Sequence, residues 1–375
     1  MRPLVLGLIF LFGFAAAQTC AGLPQLNVTT PAGYCVGVAA QELRFPRGVL
    51  PMPNGEIWVA EMRTWNPNRG SLMRLRKQGS RYVGQRMMEG LDRPNGIALG
   101  PDSKIYVGEV GRIFRFDPDR PQNREYVIRD LPGQGRHPLT QMVFLPDGNL
   151  LVNVGSASDN CEADKGKPTC AEARTNGLVR LYRFENGRPT GWTVFARGLR
   201  NSMALAVHSS GTVLQGENSR DAINAADPRL SDEQFPADEL NVLRRGADYG
   251  WPYCYNDGIT APEFPRHDCA QSQNPAVLLP AHVAPLGMTY LWGNAELGRD
   301  WLVVGYHGYR AGGQRLIGFQ VDAQGVPTGN KLELIKNWRL PGNKLGAPVD
   351  VKQGPDGKIY LTDDRNGMLL VFSKR

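Results

Sequence analysis

Pro53-Asn54-Gly55-Glu56-Ile57-Trp58-Val59, Pro101-Asp102-Ser103-Lys104-Ile105-Tyr106-Val107, Pro146-Asp147-Gly148-Asn149-Leu150-Leu151-Val152 and Pro355-Asp356-Gly357-Lys358-Ile359-Tyr360-Leu361 repeat one phrase. A turn comes first, with Pro presetting φ, Asp or Asn bonding its own backbone and Gly supplying φ > 0. A short strand of β-branched and aromatic residues follows. Two weaker copies stand between, His208-Ser209-Ser210-Gly211-Thr212-Val213-Leu214 and Gly298-Arg299-Asp300-Trp301-Leu302-Val303-Val304. The first three copies start 48 and then 45 residues apart, the length of one four-stranded propeller blade. Six copies therefore predict an all-β, six-bladed β-propeller. Each blade buries its faces only against its neighbours, so residues 18–375 are expected to form one domain. The wide interval between the copies at His208 and Asp300 predicts an inserted loop region over about residues 221–282.

The composition agrees. Among 375 residues there are 44 Gly and 28 Pro and only 21% charged residues, which suits many short strands and tight turns better than a helical bundle. Ahead of the repeats lie Arg2, an apolar run from Leu4 to Phe14, and Ala15-Ala16-Ala17. That is the pattern of a signal peptide covering residues 1–17, and it predicts a secreted or periplasmic protein. A lipidated Cys20 is the alternative, disfavoured by Thr19 where a small Gly or Ala is expected. The apolar run is too short to span a bilayer, so no membrane span is expected.

The six cysteines fall as three local couples, Cys20 with Cys35, Cys161 with Cys170, and Cys254 with Cys269. Export and an even count argue for disulfides, and short loop closure favours the local pairing. A zinc site is the rival, but no couple has thiolate-knuckle spacing. The net charge of +7 is modest and unblocked, and Arg74-Leu75-Arg76-Lys77 alternates like a strand, so no nucleic-acid partner is expected. The charge is either an ordinary solvated surface or a set of arginines converging on a small anion.

Four stretches could carry chemistry. In Gly135-Arg136-His137-Pro138, a histidine enters the third repeat, where its ring could accept a proton in the channel or simply sit in a surface loop. Gly198-Leu199-Arg200-Asn201 sets a cation beside an amide, either a cradle for a carboxylate or quinone oxygen or a turn cap. Glu217-Asn218-Ser219-Arg220-Asp221, and then Asp238-Glu239-Leu240-Asn241 with Asp248-Tyr249-Gly250-Trp251-Pro252, offer the carboxylate, amide and carbonyl oxygens that Ca²⁺ takes, or else are solvated acidic loops. His307-Gly308-Tyr309-Arg310 is a further candidate for the channel mouth, while His208, His267 and His282 read as loop residues.

Taken in order, from Leu43-Arg44-Phe45-Pro46 to Val371, these signals resemble the soluble aldose and sorbosone dehydrogenase family that uses pyrroloquinoline quinone (PQQ). The most specific part is Gly198–Asn201, Val213–Glu217 and the run from Asp238 to Pro252. The resemblance implies a PQQ- and Ca²⁺-dependent enzyme that oxidises an aldose or sugar aldehyde by hydride transfer from the anomeric carbon and passes electrons to an acceptor. It implies His137 as general base, with Arg200 and Asn201 contacting the quinone and stabilising its developing charge. The loop at Asn218, Ser219 and Arg220 would hold a catalytic calcium, and Glu239 and Tyr249 would ligate a structural one.

The departures concern specificity and affinity. Arg136 stands where glucose-oxidising members carry Asp, and Pro94 where they carry glutamine. Leu345-Gly346-Ala347-Pro348-Val349-Asp350 lacks the arginines that bind the cofactor's carboxylates, a charge that His307, Arg310 or Lys344 is expected to supply. Two other functions compete: a calcium-dependent propeller lactonase, which needs no quinone, and a non-catalytic propeller that binds a glycan or protein.

Overall fold

The computed structural model describes residues 18–375; the expected signal peptide lies outside the described residues. Six four-stranded antiparallel sheets form the blades of a propeller. Each repeat phrase is the hairpin between the first and second strands of a blade, and the second strands are Ile57–Glu61, Ile105–Glu109, Leu150–Val154, Val213–Glu217, Trp301–Tyr306 and Ile359–Asp363. The weaker copy at His208 closes the same tight turn as the four strong ones, His208 N to Thr212 O, whereas the copy at Gly298 ends a longer connection between Pro285–Tyr290 and Trp301–Tyr306.

The core lies between blades. Six buried apolar clusters each join residues of two adjacent blades, such as Trp58, Leu72, Ile97 and Phe114 between blades 1 and 2. The ring closes in the sixth sheet, where Tyr34–Ala40 from the N-terminal side pairs with the last strand, Met368–Lys374. Because each face is buried only by a neighbour, this closing strand supports both ends of the chain at once.

The interval 221–282 is not one loop. Ala237–Leu243 is the third strand of blade 4, paired in register with Val213–Glu217, and Val277–Ala281 is its fourth. The inserted sequence is therefore two connections, one on each side of the third strand. The strand escapes a pattern search because Asp238, Glu239 and Asn241 are all buried, so it lacks the polar/apolar alternation of a half-exposed strand. Disulfides join Cys20–Cys35, Cys161–Cys170 and Cys254–Cys269, the local pairing expected. No helix among the described residues is long and apolar enough to cross a membrane.

A repeated device builds one face of the disc. The residue leaving a second strand returns its N–H to the segment entering the first strand of the same blade: Met62 to Phe45 O, Asn218 to Asn201 O, His307 to Ala284 O. A buried carboxylate ending the second strand reinforces this. Glu61 accepts from Arg44 N, Glu109 from Asp92 N and Glu217 from Asn201 N, at 2.6–2.9 Å. The strand-entry and strand-exit segments of all blades are thus pinned on the same side.

Candidate functional site

On this face a cavity of about 300 Å³ is lined by His137, Arg200, Asn201, Asn218, Ser219, Asp221, Asp238, His282, His307, Tyr309 and Arg310, among others. Every one follows a second strand, enters a first strand or begins the third strand of blade 4. Beneath it Met62, Val110, Leu139 and Met203 form a small apolar plug. A larger concavity, about 940 Å³, opens on the opposite face, but its walls are mainly apolar inner-strand residues such as Ile97, Met142, Phe144 and Met288. The convergent polar groups that mark a reactive site are on the first face.

His137 is fixed by its neighbours. Gly155 lies against it so closely that a Cβ there would meet the His137 carbonyl at 2.4 Å. His137 Nδ1 is 2.8 Å from Ser156 Oγ and 3.2 Å from the Ser156 carbonyl. The Ser156 hydroxyl donates its one proton to Ser158 O at 2.6 Å. Both oxygens facing Nδ1 must then accept, so the neutral ring carries its proton on Nδ1 and keeps a lone pair on Nε2. Burial, and secondarily the Arg200 cation, push the imidazole down to about 3. The resting ring is therefore neutral at physiological pH, with the Nε2 lone pair unprotonated.

Arg200 departs from expectation. Its Nε donates to Asp159 O, one terminal nitrogen to the carbonyls of Asn218 and Ser219, and the other to the carboxylates of Asp159 and Asp221. All five guanidinium protons are engaged, leaving none for a quinone oxygen. It acts on the cavity as a braced charge and as the tie holding the loop at Asn218 and Ser219.

Beside it two buried amide oxygens, Asn201 Oδ1 and Asn218 Oδ1, have no partner, because Asn218 turns its amide N–H to the Asn201 carbonyl at 2.9 Å. Unpartnered buried acceptors cost roughly 1–3 kcal/mol each, and in a polar wall they suit a cation with oxygen ligands. The neighbouring carbonyls of Asn218 and Ser219 each keep a second lone pair, and the Asp238 carboxylate lines the same wall. These residues fit a hard divalent cation.

The other expected ligands lie apart. Glu239 and Tyr249 line a separate pocket of about 30 Å³ with Glu217 and Arg220. Glu239 stands opposite Glu217 in the strand register, and burial pushes the two carboxyls up to about 8 and about 7. Asp238 is raised to about 6, also by burial. The Tyr249 hydroxyl is taken, accepting from Arg244 N and donating to Val242 O, so only its carbonyl is left for a metal. The Arg220 side chain pairs with buried Glu263 and offers no ligand, leaving its backbone.

Of the expected anion binders, Arg310 is paired to Asp232 at 2.6 Å and to Glu233. His307 Nε2 lies 3.0 Å from Asp364, which Arg47 also holds at 2.7 Å. Ser156 and Asp159 escape the sequence reading, and His282, read as a loop residue, takes part through Asp232 O, 2.7 Å from its Nε2. Their shared signal is position, directly after a second strand or before a first.

The TrAA12-like family model matches residues 28–266. The chain belongs to the TrAA12-like family. The resemblance to soluble PQQ-dependent sugar dehydrogenases holds at the level of family. The TrAA12-like chain is 27% identical over 265 residues to an uncharacterized Synechocystis protein, a match covering 64% of this chain but only 56% of that one. It is 24% identical over 264 residues to the Escherichia coli aldose sugar dehydrogenase YliI, covering 66% of this chain and 64% of the relative. The holo pyranose dehydrogenase PQQ domain from Coprinopsis cinerea shares the fold, with a TM-score of 0.74, 20% identity, and coverage of 95% of this chain and 100% of that one.

Proposed function

We propose that this protein is a PQQ-dependent dehydrogenase that oxidises an aldose or sugar aldehyde at its anomeric carbon. The observation that carries the reading is His137: a neutral imidazole, its tautomer set by Ser156, opening on the cavity that also holds the unpartnered oxygens of Asn201 and Asn218. A glycan-binding propeller has no use for a base held in this way.

In this mechanism the cavity wall holds a cyclic sugar with its anomeric hydroxyl toward His137 Nε2. The ring takes that proton as the carbon–hydrogen bond breaks and the hydroxyl oxygen becomes a carbonyl, leaving a lactone or, from an aldehyde hydrate, an acid. Bound quinone supplies the two-electron acceptor for the departing hydride. A divalent cation would be held by the Asn218 and Ser219 carbonyls and the free amide oxygens, where it supplies Lewis acidity. Arg200 keeps the loop that carries those carbonyls in place. The positive imidazolium left after proton transfer sits near Asp221, which lowers the cost of the charge.

Arg136, which replaces the acid of the glucose enzymes, pairs with Asp221 at 3.0 Å on the exposed rim. This favours a substrate whose contacts differ from those of glucose. The three disulfides support an oxidising compartment outside the cytoplasm. The test is dye reduction with a panel of aldoses and aldehydes. Activity should need both PQQ and Ca²⁺; turnover of lactones with metal alone would transfer the protein to the hydrolase class.

A further inference from the structure

The cations around the cavity are nearly all matched. Arg136 pairs with Asp221, Arg200 with Asp159 and Asp221, Arg310 with Asp232 and Glu233, and Arg47 and His307 both with Asp364. An anionic ligand entering here meets guanidinium groups whose N–H protons already serve carboxylates, and recruiting one would strand a buried partner.

Arg365 is different. It is exposed and forms no ion pair among the described residues; its guanidinium stacks on the Tyr309 ring, 4.1 Å from the centroid. Tyr309 lines the cavity and is 65% exposed, the most exposed large hydrophobic side chain among the described residues. The two residues stand just past the second strands of adjacent blades 5 and 6, Tyr309 three residues beyond Tyr306 and Arg365 two beyond Asp363. Their backbones are anchored: Asp364, next to Arg365, is buried and bonded to Arg47 and to His307, whose ring is 5.7 Å from that of Tyr309. Rigid backbone beneath free side chains is the arrangement of a ligand clamp. A guanidinium held over an aromatic ring, with no carboxylate partner of its own, has its planar N–H fork free to take a carboxylate.

We infer that Tyr309 and Arg365 bind the quinone, the Tyr309 ring packing against its planar rings and Arg365 forking one of its carboxylates. The pair thereby replaces the arginines absent from 345–350. The inference rests on the dehydrogenase reading above.

Its test is equilibrium titration of the quinone-free full chain with PQQ in millimolar Ca²⁺, followed by tryptophan fluorescence. Wild type, Arg365→Gln and Tyr309→Ala are compared, each checked for an unchanged melting temperature. Both substitutions lie on the surface and leave the blade cores intact. Each is expected to weaken binding about tenfold, and Arg365→Gln also to flatten the salt dependence of Kd. The quinone trimethyl ester should bind wild type and Arg365→Gln alike, since it offers no carboxylate. If wild type binds PQQ and Arg365→Gln binds it equally well, the clamp is wrong and the dehydrogenase reading stands. If wild type fails to bind PQQ at any concentration, the reading beneath falls and takes the clamp with it.

Discussion

Raising the pH from 6.5 to 8 in the presence of a chelator is expected to destabilise this protein, and Ca²⁺ is expected to abolish the effect. Glu239 and Glu217 ordinarily ionise at 4.5, but burial pushes them up to about 8 and about 7 in the folded chain. Between those limits the unfolded chain has lost protons that the folded chain keeps, so folding stability falls as pH rises. Stability from this source is complete below pH 4.5 and gone above 8. His137 works in the opposite sense, its folded value being depressed from 6.5 to about 3, but mostly below pH 6.5, so within the window it offsets only a small part of the loss. Within the window, one pH unit on one carboxyl is worth 1.36 kcal/mol, so the pair loses roughly 2 kcal/mol, or several degrees of melting temperature. A divalent cation bound by Glu239 favours the ionised form and adds its own binding energy. Thermal melts at a series of pH values, with chelator or with Ca²⁺, read both effects, and Glu239→Gln should flatten the profile and remove the calcium response. A melting temperature in chelator that is level from pH 6.5 to 8, or no added stability from Ca²⁺ at pH 8, would refute this account of the pocket.

His137→Ala should lower turnover by about 10²–10⁴ while the protein still binds quinone and calcium; unchanged turnover would remove His137 from the chemistry. Ser156→Ala deletes one acceptor for Nδ1 but leaves the Ser156 carbonyl, so kcat should fall about fivefold with KM little changed, and a loss as large as that of His137→Ala would show that Ser156 does more than orient the ring. In the closing sheet, Phe372 is 2% exposed and stacks on Tyr34 at 5.1 Å. Phe372→Ala should cost about 3–5 kcal/mol in denaturant unfolding, and a cost below 1 kcal/mol would show that the closing strand contributes little.

The fold was legible because its repeat is chemical as well as numerical. Pro-Asp-Gly turns fix where each hairpin reverses, and strand residues such as Ile105-Tyr106-Val107 follow directly. The third strand of blade 4 stayed hidden because Asp238, Glu239 and Asn241 replace the alternation that marks a strand. His137, Asn201, Asn218 and Ser219 are singled out by the family resemblance rather than by their residue types, and they line one cavity. Residue types alone do not show that Arg200 is fully engaged, because that depends on Asp159, which lies 41 positions away, two residues before the loop closed by Cys161–Cys170. Nor does the sequence show that Arg310 is neutralised by Asp232. Arg365 was within reach: it occupies, past Asp363-Asp364, the slot that Ser219 occupies past Glu217-Asn218. The repeat itself pointed to it, but no motif did.

The central claim is hydride transfer from an anomeric carbon, and one anaerobic stopped-flow measurement tests it most directly. Protein loaded with PQQ and Ca²⁺ is mixed with an aldose carrying either hydrogen or deuterium at C1, and bleaching of the quinone absorbance is followed through a single turnover. The account expects one bleaching phase, slowed severalfold by deuterium and nearly absent in His137→Ala. Loaded protein that shows no bleaching with any aldose or aldehyde, or bleaches at a rate indifferent to deuterium and to His137, would contradict it.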